Sequence, residues 1–466
     1  MPDRPTDDHG RLAPAEPLDE RSVAEAESET STPTEEIVRH GGTFESFRHR
    51  GYALFWTGAF VSNTGSWMQA ALVGYLAYGY RGSAADLGIV TFISQIPTLF
   101  LALPGGVLAD RVDKAKIIIW AQVLLMLQAL VFGTLYVTGN LSSSTPITSL
   151  AWIAGLGFVA GVLASLSFPA WVAILPELVP KPTLLNAIAL NSAQFQSARM
   201  MGPLAYAAVI AIAGQAAGVA DVFWINAVSF VFVIAAVWAA RNSPHAPERH
   251  IVAHDESVWT SLTRGVRYAA THRVVGTVIL STLILTLVGM PYVFLMPAVA
   301  EQVLGFARGT DAHSHAYSLL LGANGFGAVI GALTVAGLPR AVRRERLMRI
   351  AIIATAVVLV AFAFAPWLWL SLALSALAGA CLLTTNSLAN TSVQSNAPHH
   401  LRGRVMSVFI MSFMGVMPLS AAAFGPLAEA IGTSWAIAAG AMVLLGWGLF
   451  LTARPAMLTP RASETE

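Results

Sequence analysis

Long apolar segments follow one another along the chain from about residue 52 onward. Most come close to the roughly 20 residues that an α-helix needs to cross a bilayer. The predicted spans are 52–80, 87–109, 116–138, 149–175, 185–213, 221–240, 274–299, 316–338, 347–365, 367–394, 403–431 and 435–453. The stretch 347–394 is too long for one span, and Pro366, flanked by Trp367 and Trp369, indicates a turn at a membrane interface. The pattern predicts an all-α integral membrane protein with twelve transmembrane helices.

Polar segments divide these spans into two sets of six. The predicted organisation is a disordered acidic tail over 1–42, a six-helix bundle over 43–240, a cytoplasmic linker over 241–273, a second six-helix bundle over 274–453 and a tail over 454–466. The first tail is rich in Asp, Glu, Pro, Ser and Thr, so it cannot bury enough apolar surface to offset the entropy of ordering. Apolar residues recur at helical spacing in the linker, at Val258, Leu262, Val266 and Ala269. They predict an amphipathic helix at the membrane surface.

Basic residues are distributed very unevenly between the two sides of the predicted spans. Of the 27 Lys and Arg residues, only Arg81 and Arg308 fall in the loops of one side, and only Arg199 falls within a span. All the others lie on the other side, which is typical of cytoplasmic loops. The distribution predicts a multi-pass protein of the plasma or inner membrane with both termini in the cytoplasm.

Composition excludes several classes of protein. The 466 residues are 55% hydrophobic and only 11% charged, whereas soluble domains carry about 25% charged residues. The one cysteine, Cys381, excludes an intrachain disulfide. The zinc-binding HExxH pattern, the nucleotide-binding Walker loop and the nucleophile elbow do not occur in the sequence. We therefore expect no enzyme activity, no cofactor, no metal, no nucleic-acid partner and no ATP-driven transport by this chain alone.

The loop after the second span carries the most specific motif. Residues 104–116 read Pro-Gly-Gly-Val-Leu-Ala-Asp-Arg-Val-Asp-Lys-Ala-Lys. This segment resembles the signature between helices two and three of the Major Facilitator Superfamily, and the matching positions are Gly106, Asp110, Arg111, Asp113 and Lys114. Ala115 departs from a basic position of that signature. The resemblance implies two pseudo-symmetric six-helix bundles and transport by alternating access.

The chemistry of this motif suggests a conformational gate. Glycine permits close helix approach, and the carboxylate of Asp110 could pair with an Arg or a helix N-terminus in one conformation and separate in another. The resemblance implies a contact of Asp110 with the start of the eleventh span, near Arg402 and Arg404. The alternative is that Arg111 and Lys114 simply anchor the loop to the cytoplasmic surface.

A second gating candidate lies in the fifth span. Gly202 and Pro203 resemble the Gly-Pro of an antiporter motif, although Ala205 and Tyr206 replace the glycines that follow it. Proline inside a helix removes a backbone hydrogen bond and bends the helix. The sequence leaves open whether this bend is a hinge or a static kink.

Further segments resemble the branch that contains enterobactin exporters and macrolide efflux proteins. They are Phe60–Gln69, Leu175–Pro180 and Pro398–Met406, together with the segment around Gly202. The resemblance implies a secondary active exporter of a drug, siderophore or secondary metabolite, driven by the proton gradient and acting as a monomer. An importer, a lipid flippase and a non-transporting sensor or scaffold on the same fold are the alternatives.

Arg199 is a candidate for the cargo site. It would lie about 20 Å into a hydrocarbon core of about 30 Å. A charge there is costly, so it should face a cavity or a partner. Ser192 and Gln196 share its helical face, which predicts a polar cavity wall. The alternative is a structural Arg bonded to backbone carbonyls.

Other polar residues within the spans are weaker candidates for the same cavity. They are Asn63, Gln69, Asn226, Asn324, Asn386 and Asn390. Interhelical hydrogen bonding is the alternative for each of them. The middle of each predicted span lacks Asp and Glu, so proton coupling would need a carboxylate near a span end. The candidates are Asp86, Asp110, Asp221, Glu301 and Glu429.

Overall fold

The structure is a computed structural model that describes residues 42–240, 258–338, 343–398 and 401–459. Side chains are not described at 102–103, 258–262 and 336. The predictions for the acidic tail, for most of the linker and for the last residues of the chain lie outside these described residues. The described residues from Ser46 onward form one compact unit.

Six membrane crossings make up the first half of this unit. They are α1 Arg50–Gly79, α2 Ala84–Arg111, α3 Lys114–Val137, α4 Pro146–Ala173, α5 (184–213) and α6 (215–240). The last two are arms of one segment, Leu184–Ala240, which breaks at Gly214 where φ is 74°. Only glycine adopts this backbone conformation without strain, so Gly214 sets the turn between the two crossings.

Six further crossings follow, two of them interrupted. They are α7 (Arg273–Ile284, Leu285–Gly289, Pro291–Phe294 and Met296–Gln302), α8 Asp311–Ala336, α9 Arg344–Ala363, α10 Leu368–Asn396, α11 (Arg402–Ile410, Met411–Gly415 and Met417–Ile431) and α12 Thr433–Ala453. The segments Leu285–Gly289 and Met411–Gly415 are π-helical turns. Each lies just ahead of a proline, Pro291 and Pro418, whose ring interrupts regular α-helical bonding.

The described helices account for the twelve predicted crossings. Ten described helices are long and apolar enough to span a membrane. One of them, Leu184–Ala240, has 57 residues and would be about 85 Å long if straight, so it supplies two crossings. The twelfth is α1, a helix of 30 residues whose polar side chains, such as Asn63 and Gln69, lower its mean hydropathy. Strands are absent from the described parts of the chain.

Short polar side chains fix where several crossings begin. The Ser83 hydroxyl accepts the backbone N–H of Asp86 at 3.1 Å at the start of α2. Asp113 Oδ1 accepts the N–H of Lys116 at 3.2 Å at the start of α3. Such N-caps satisfy backbone donors that the helix itself leaves unbonded, which stabilises each helix end.

Glycines bring helices together in equivalent ways in the two halves. A Cβ added at Gly105 of α2 would lie 2.6 Å from the carbonyl oxygen of Ser165 in α4. A Cβ added at Gly331 of α8 would lie 2.3 Å from the carbonyl oxygen of Ala380 in α10. The close α2–α4 packing of the first half therefore recurs as α8–α10 packing in the second, as expected for repeated bundles.

The described part of the linker forms a helix, Val258–Thr271, that packs on the second half. A Cβ at Gly265 would lie 2.7 Å from the backbone oxygen of Arg404, and the Tyr268 hydroxyl donates to the carbonyl of Asn396 at 3.2 Å. Val266 belongs to the predicted apolar face but is 49% exposed. Ala269, from the same predicted face, is only 6% exposed, so part of that face is packed.

Candidate functional site

A central cavity lies where the first half meets the second. Its lining is Arg199, Leu285, Met290, Asn324, Ala328, Gly379, Leu382, Leu383, Asn386 and Phe413. Arg199 comes from α5, and the other lining residues come from α7, α8, α10 and α11. The first half thus contributes a single charged side chain to a pocket whose other walls belong to the second half.

The Arg199 guanidinium is held by an aromatic ring. Its central carbon lies 5.6 Å from the ring centroid of Trp67 in α1, a cation–π arrangement. Among the described residues, Arg199 forms neither a hydrogen bond nor an ion pair. The alternative prediction, a structural Arg bonded to backbone carbonyls, does not describe this geometry. The N–H groups of Arg199 are therefore available to a bound molecule.

Two asparagines line the same cavity but differ in their bonding. Asn324 Nδ2 donates to the Tyr292 hydroxyl and to the carbonyl of Ser375, the latter at 3.3 Å. This side chain joins α8 to α7 and α10. Asn386 Nδ2 in α10 is buried with no hydrogen-bond partner in the described structure. Asn386 therefore gives the cavity a second side chain, besides Arg199, whose N–H donors have no described partner.

Gln69 and Asn226, which the sequence placed in the cavity, lie elsewhere. Asn226 Nδ2 donates to Gln69 Oε1 at 2.8 Å, and Gln69 Nε2 donates to Gln128 Oε1 at 3.1 Å. Gln128 Nε2 donates in turn to the carbonyl of Leu156 at 3.3 Å. These amides form a buried network through α1, α3, α4 and α6. The structure places this pair in the network and not in the lining of the central cavity, and hydrogen bonds occupy both amides.

The remaining predicted cavity residues do not line this cavity either. Asn63 Nδ2 donates to Gln194 Oε1 at 3.4 Å. Ser192 is exposed and donates to the carbonyl one turn back, and Asn390 accepts a hydrogen bond from Gln394 one turn on. Gln196 is partly buried, and its Nε2 has no described hydrogen-bond partner. Of the predicted set, the structure brings only Arg199, Asn324 and Asn386 together.

The apolar cavity walls were not predicted from sequence. Leu285 and Met290 come from the π-helical region of α7, and Phe413 comes from that of α11. The available signal was a proline within each apolar run. A π-turn re-aims side chains, and such turns are frequent at functional sites.

We refer to the two ends of the helices by charge. The basic end carries Arg111, Lys114, Lys181, Arg264 and Arg404, and the other is the opposite end. At the opposite end the Tyr78 hydroxyl donates to Glu301 Oε2 at 2.5 Å, joining α1 to α7.

Further contacts tie the halves together at the opposite end. The backbone N–H of Ala84 donates to Glu429 Oε2 at 2.9 Å, joining α2 to α11. The Ser314 hydroxyl donates to the Tyr206 hydroxyl at 2.7 Å, joining α8 to α5. A Cβ at Gly88 would lie 2.8 Å from the Cα of Gly425, so the backbones of α2 and α11 nearly touch. The opposite end is therefore closed.

The surfaces of α2 and α11 at the basic end are more open. Contact between these helices reaches Leu99 and Gly415, where an added Cβ would lie 3.0 Å from the Leu99 Cδ1. Farther along, a Cβ at Gly106 or at Gly403 would have open space around it. The expected close approach at Gly106 is absent from this conformation, and the neighbouring Gly105 makes it instead.

The other motif residues have identifiable places. Asp110 and Arg111 are exposed, and Asp110 forms no hydrogen bond or ion pair with the described residues. Lys114 Nζ pairs with Glu177 Oε1 at 2.6 Å, and Asp113 caps α3. The predicted contact of Asp110 with the start of α11 is thus not formed in this conformation.

Arg402 and Arg404 lie at the start of α11. The Nε of Arg402 is buried and has no hydrogen-bond partner among the described residues. Arg404 lies against the linker helix, where its backbone oxygen approaches Gly265.

Gly202 and Pro203 lie inside α5. A Cβ at Gly202 would lie 2.4 Å from the Cβ of Trp67, so α1 and α5 pack closely at this point. The helix continues through Pro203, which is buried. Gly202 therefore fixes the position of Trp67, the ring beneath Arg199.

Comparison with known proteins identifies the family. The family described as "transmembrane secretion effector" matches residues 41–462. The chain belongs to this family. It is similar to the multidrug efflux pump Tap of Mycolicibacterium fortuitum, with 27% identity over 419 residues that cover 88% of this chain and 95% of the pump. It is also similar to the staphyloferrin A transporter of Staphylococcus aureus, with 21% identity over 384 residues, 81% of this chain and 89% of that one.

Solved transporter structures share the fold. A mutant of the nucleoside transporter NupG superposes with a TM-score of 0.68 at 13% identity, covering 88% of this chain and 100% of that one. The inward-open xylose transporter XylE from E. coli gives a TM-score of 0.64 at 12% identity, covering 88% and 96%. The family and the fold confirm the Major Facilitator resemblance that the motif over 104–116 suggested.

Proposed function

We propose that this transmembrane secretion effector is a secondary active exporter of a small amphipathic molecule. The main support is the central cavity, which combines apolar walls with one cationic side chain that has no described hydrogen-bond partner. The cavity lies between two halves that hydrogen bonds join at the opposite end. The basic end is the cytoplasmic end under the positive-inside rule. The structure then corresponds to an inward-facing state, ready to take cargo from the cytoplasm. The related multidrug efflux pump supports this direction.

Alternating access requires that the closed end can reopen. The halves are held together there by a few hydrogen bonds, each contributing about 0.5–1.5 kcal/mol, and by close glycine packing. A modest difference between the binding free energies of cargo to the two conformations can therefore shift the balance between them. Cargo in the cavity contacts both halves and would favour the state in which they close around it at the basic end.

The gate at the basic end follows from the same geometry. Closing it brings the Gly106 face of α2 towards the start of α11, where Arg402 and Arg404 lie. Asp110 would then find the partner that it lacks in the inward-facing state. Two carboxylates of the second half, Glu301 and Glu429, hold the opposite end. Their protonation would weaken its closure. We propose the proton as the coupling ion, a monomer as the working unit and the plasma membrane as the location.

Transport in everted membrane vesicles tests this function. Vesicles containing the full chain are energised, and uptake of fluorescent amphipathic dyes of either charge is followed by fluorescence quenching. We expect uptake of at least one dye, and we expect its loss when an uncoupler collapses the proton gradient. Vesicles without the protein are the control. Equal uptake with and without the protein for every dye would contradict the proposal, and uptake only in right-side-out vesicles would show import.

A further inference from the structure

We infer that the central cavity selects cargo bearing an anionic oxygen group, such as a carboxylate, attached to an aromatic or apolar body. This inference rests on the proposed export function and specifies its substrate class. Its basis is that the cavity presents hydrogen-bond donors, one of them cationic, without a negatively charged acceptor to match them. Arg199 is the one charged side chain of the lining, and none of the lining residues is Asp or Glu.

The Arg199 guanidinium is presented for recognition rather than used in the architecture. The Trp67 ring lies 5.6 Å from its central carbon and supports one face of the planar group. Cation–π contact holds the guanidinium without consuming its N–H donors. Because those donors have no described partner, they can form two parallel hydrogen bonds to a carboxylate. A hydrogen bond that involves a charged group is stronger than one between neutral groups, so an anionic acceptor should bind preferentially.

A second donor reaches the cavity from the other half. Asn386 Nδ2 is buried without a partner and belongs to α10, whereas Arg199 belongs to α5. Two oxygens of one anionic group, or an anion and a nearby carbonyl, can satisfy both residues. Such a ligand would join the two halves through its polar end. This explains how an anionic cargo could promote closure of the basic end.

The remaining walls favour an apolar body and disfavour a cation. Met290, Leu382 and Phe413 offer adaptable and aromatic contacts. A cationic amphipath would place its charge near Arg199 without a carboxylate in the lining to offset the repulsion. In surroundings of low polarity that repulsion is strong. The cavity should therefore rank otherwise similar ligands as anion first, neutral amide second and cation last.

A matched set of small probes tests this ranking. The probes are 1-naphthoate, 1-naphthamide and 1-naphthylmethylammonium, which share one aromatic body. Binding to the purified full chain in lipid nanodiscs is measured by equilibrium dialysis. We expect 1-naphthoate to bind about tenfold or more tightly than the amide, the scale of a hydrogen bond to a charged group, and we expect the weakest binding from the ammonium compound.

Variants connect the ranking to the site. Arg199→Gln should remove the preference for 1-naphthoate while leaving binding of the amide within about twofold, because the apolar walls are unchanged. Arg199→Lys should keep part of the preference, since it retains charge but loses the planar fork. Asn386→Ala should weaken 1-naphthoate less than Arg199→Gln does. Arg454→Gln, which removes an exposed Arg after α12, is the matched control and should change nothing.

Several results would overturn the inference. They are equal binding of the ammonium and carboxylate probes, an unchanged preference in Arg199→Gln, or no binding of any probe. Vesicle transport separates this failure from failure of the proposed function. Export of the ammonium probe alone would leave the exporter standing and refute the anionic selectivity. Arg199-dependent binding of 1-naphthoate without transport of any compound would retain the site and refute export.

Discussion

The contact between α2 and α11 offers a quantitative test of how the opposite end closes. A Cβ at Gly88 would lie 2.5 Å from the carbonyl oxygen of Ala421 and 2.8 Å from the Cα of Gly425. The first distance is about 0.9 Å shorter than the 3.4 Å at which ordinary contact begins. Both atoms belong to backbone, so neither can swing aside. Gly88→Ala should therefore destabilise the closed opposite end and favour the outward-open state.

The expected size of this effect follows from overpacking. Forcing an extra carbon into a well-packed interface costs about 1–3 kcal/mol, and the cost applies only to the conformation that contains the contact. Such a difference changes the ratio of two conformations by about 5- to 150-fold. Substitution by a larger residue, Gly88→Val, should have at least the effect of Gly88→Ala.

Distances between spin labels can report this shift. On a Cys381→Ser background, labels at Asn140 and Asp311 lie in exposed positions on the two halves at the opposite end. Gly88→Ala should add a longer component to their distance distribution. Gly155→Ala and Gly446→Ala are matched controls, because an added Cβ meets open space at both sites and the gain in helix propensity is the same.

Two results would contradict a role of the α2–α11 contact in closing the opposite end. An unchanged distribution in the Gly88 variants would show that the α2–α11 contact does not hold the opposite end closed. A distribution that changes equally in the controls would assign the effect to helix propensity instead of the interface. Either result would remove this contact from the account of alternating access.

Three further predictions concern other parts of the molecule. Asp110→Asn should reduce vesicle transport without loss of folded protein, whereas Lys116→Gln, at the start of α3, should not. Equal transport in both variants would remove Asp110 from the gate. Gln69→Leu leaves two buried amide partners unsatisfied, at about 1–3 kcal/mol each, and should lower the thermal unfolding temperature; an unchanged temperature would mean that the network contributes little. On the Cys381→Ser background, Asp311→Cys should react with an impermeant maleimide in intact cells and Glu345→Cys should not; the reverse pattern would invert the topology.

Sequence alone predicted the parts of the fold that depend on local composition. The apolar runs predicted the helices because crossing a bilayer imposes a minimum length, and the motif over 104–116 predicted the family. Arg199 was identifiable because a lone charge in an apolar span needs a special environment. Its partner ring, Trp67, could not be found, since that contact depends on how closely Gly202 lets α5 approach α1.

The other cavity residues show where prediction from sequence failed. Gln69 and Asn226 look like cavity residues along the chain, but small rotations of helices decide whether an amide faces a cavity or another amide. Gly105 and Gly106 are adjacent and chemically identical, so only the packing shows which one contacts α4. The π-turns re-aim Leu285 and Phe413, and helical periodicity does not reveal such turns.

Reversible bridging of the opposite end tests alternating access most directly. Arg81 and Arg308 are exposed on opposite halves, and the Arg308 guanidinium lies over Gly82, next to Arg81. Arg81→Cys and Arg308→Cys, combined on the Cys381→Ser background, can be joined by a cleavable bismaleimide. We expect vesicle transport to stop when the bridge forms, to return when a reductant cleaves it, and to be unaffected in either single-cysteine variant. Transport at the original rate by fully bridged protein would show that the opposite end need not open during transport.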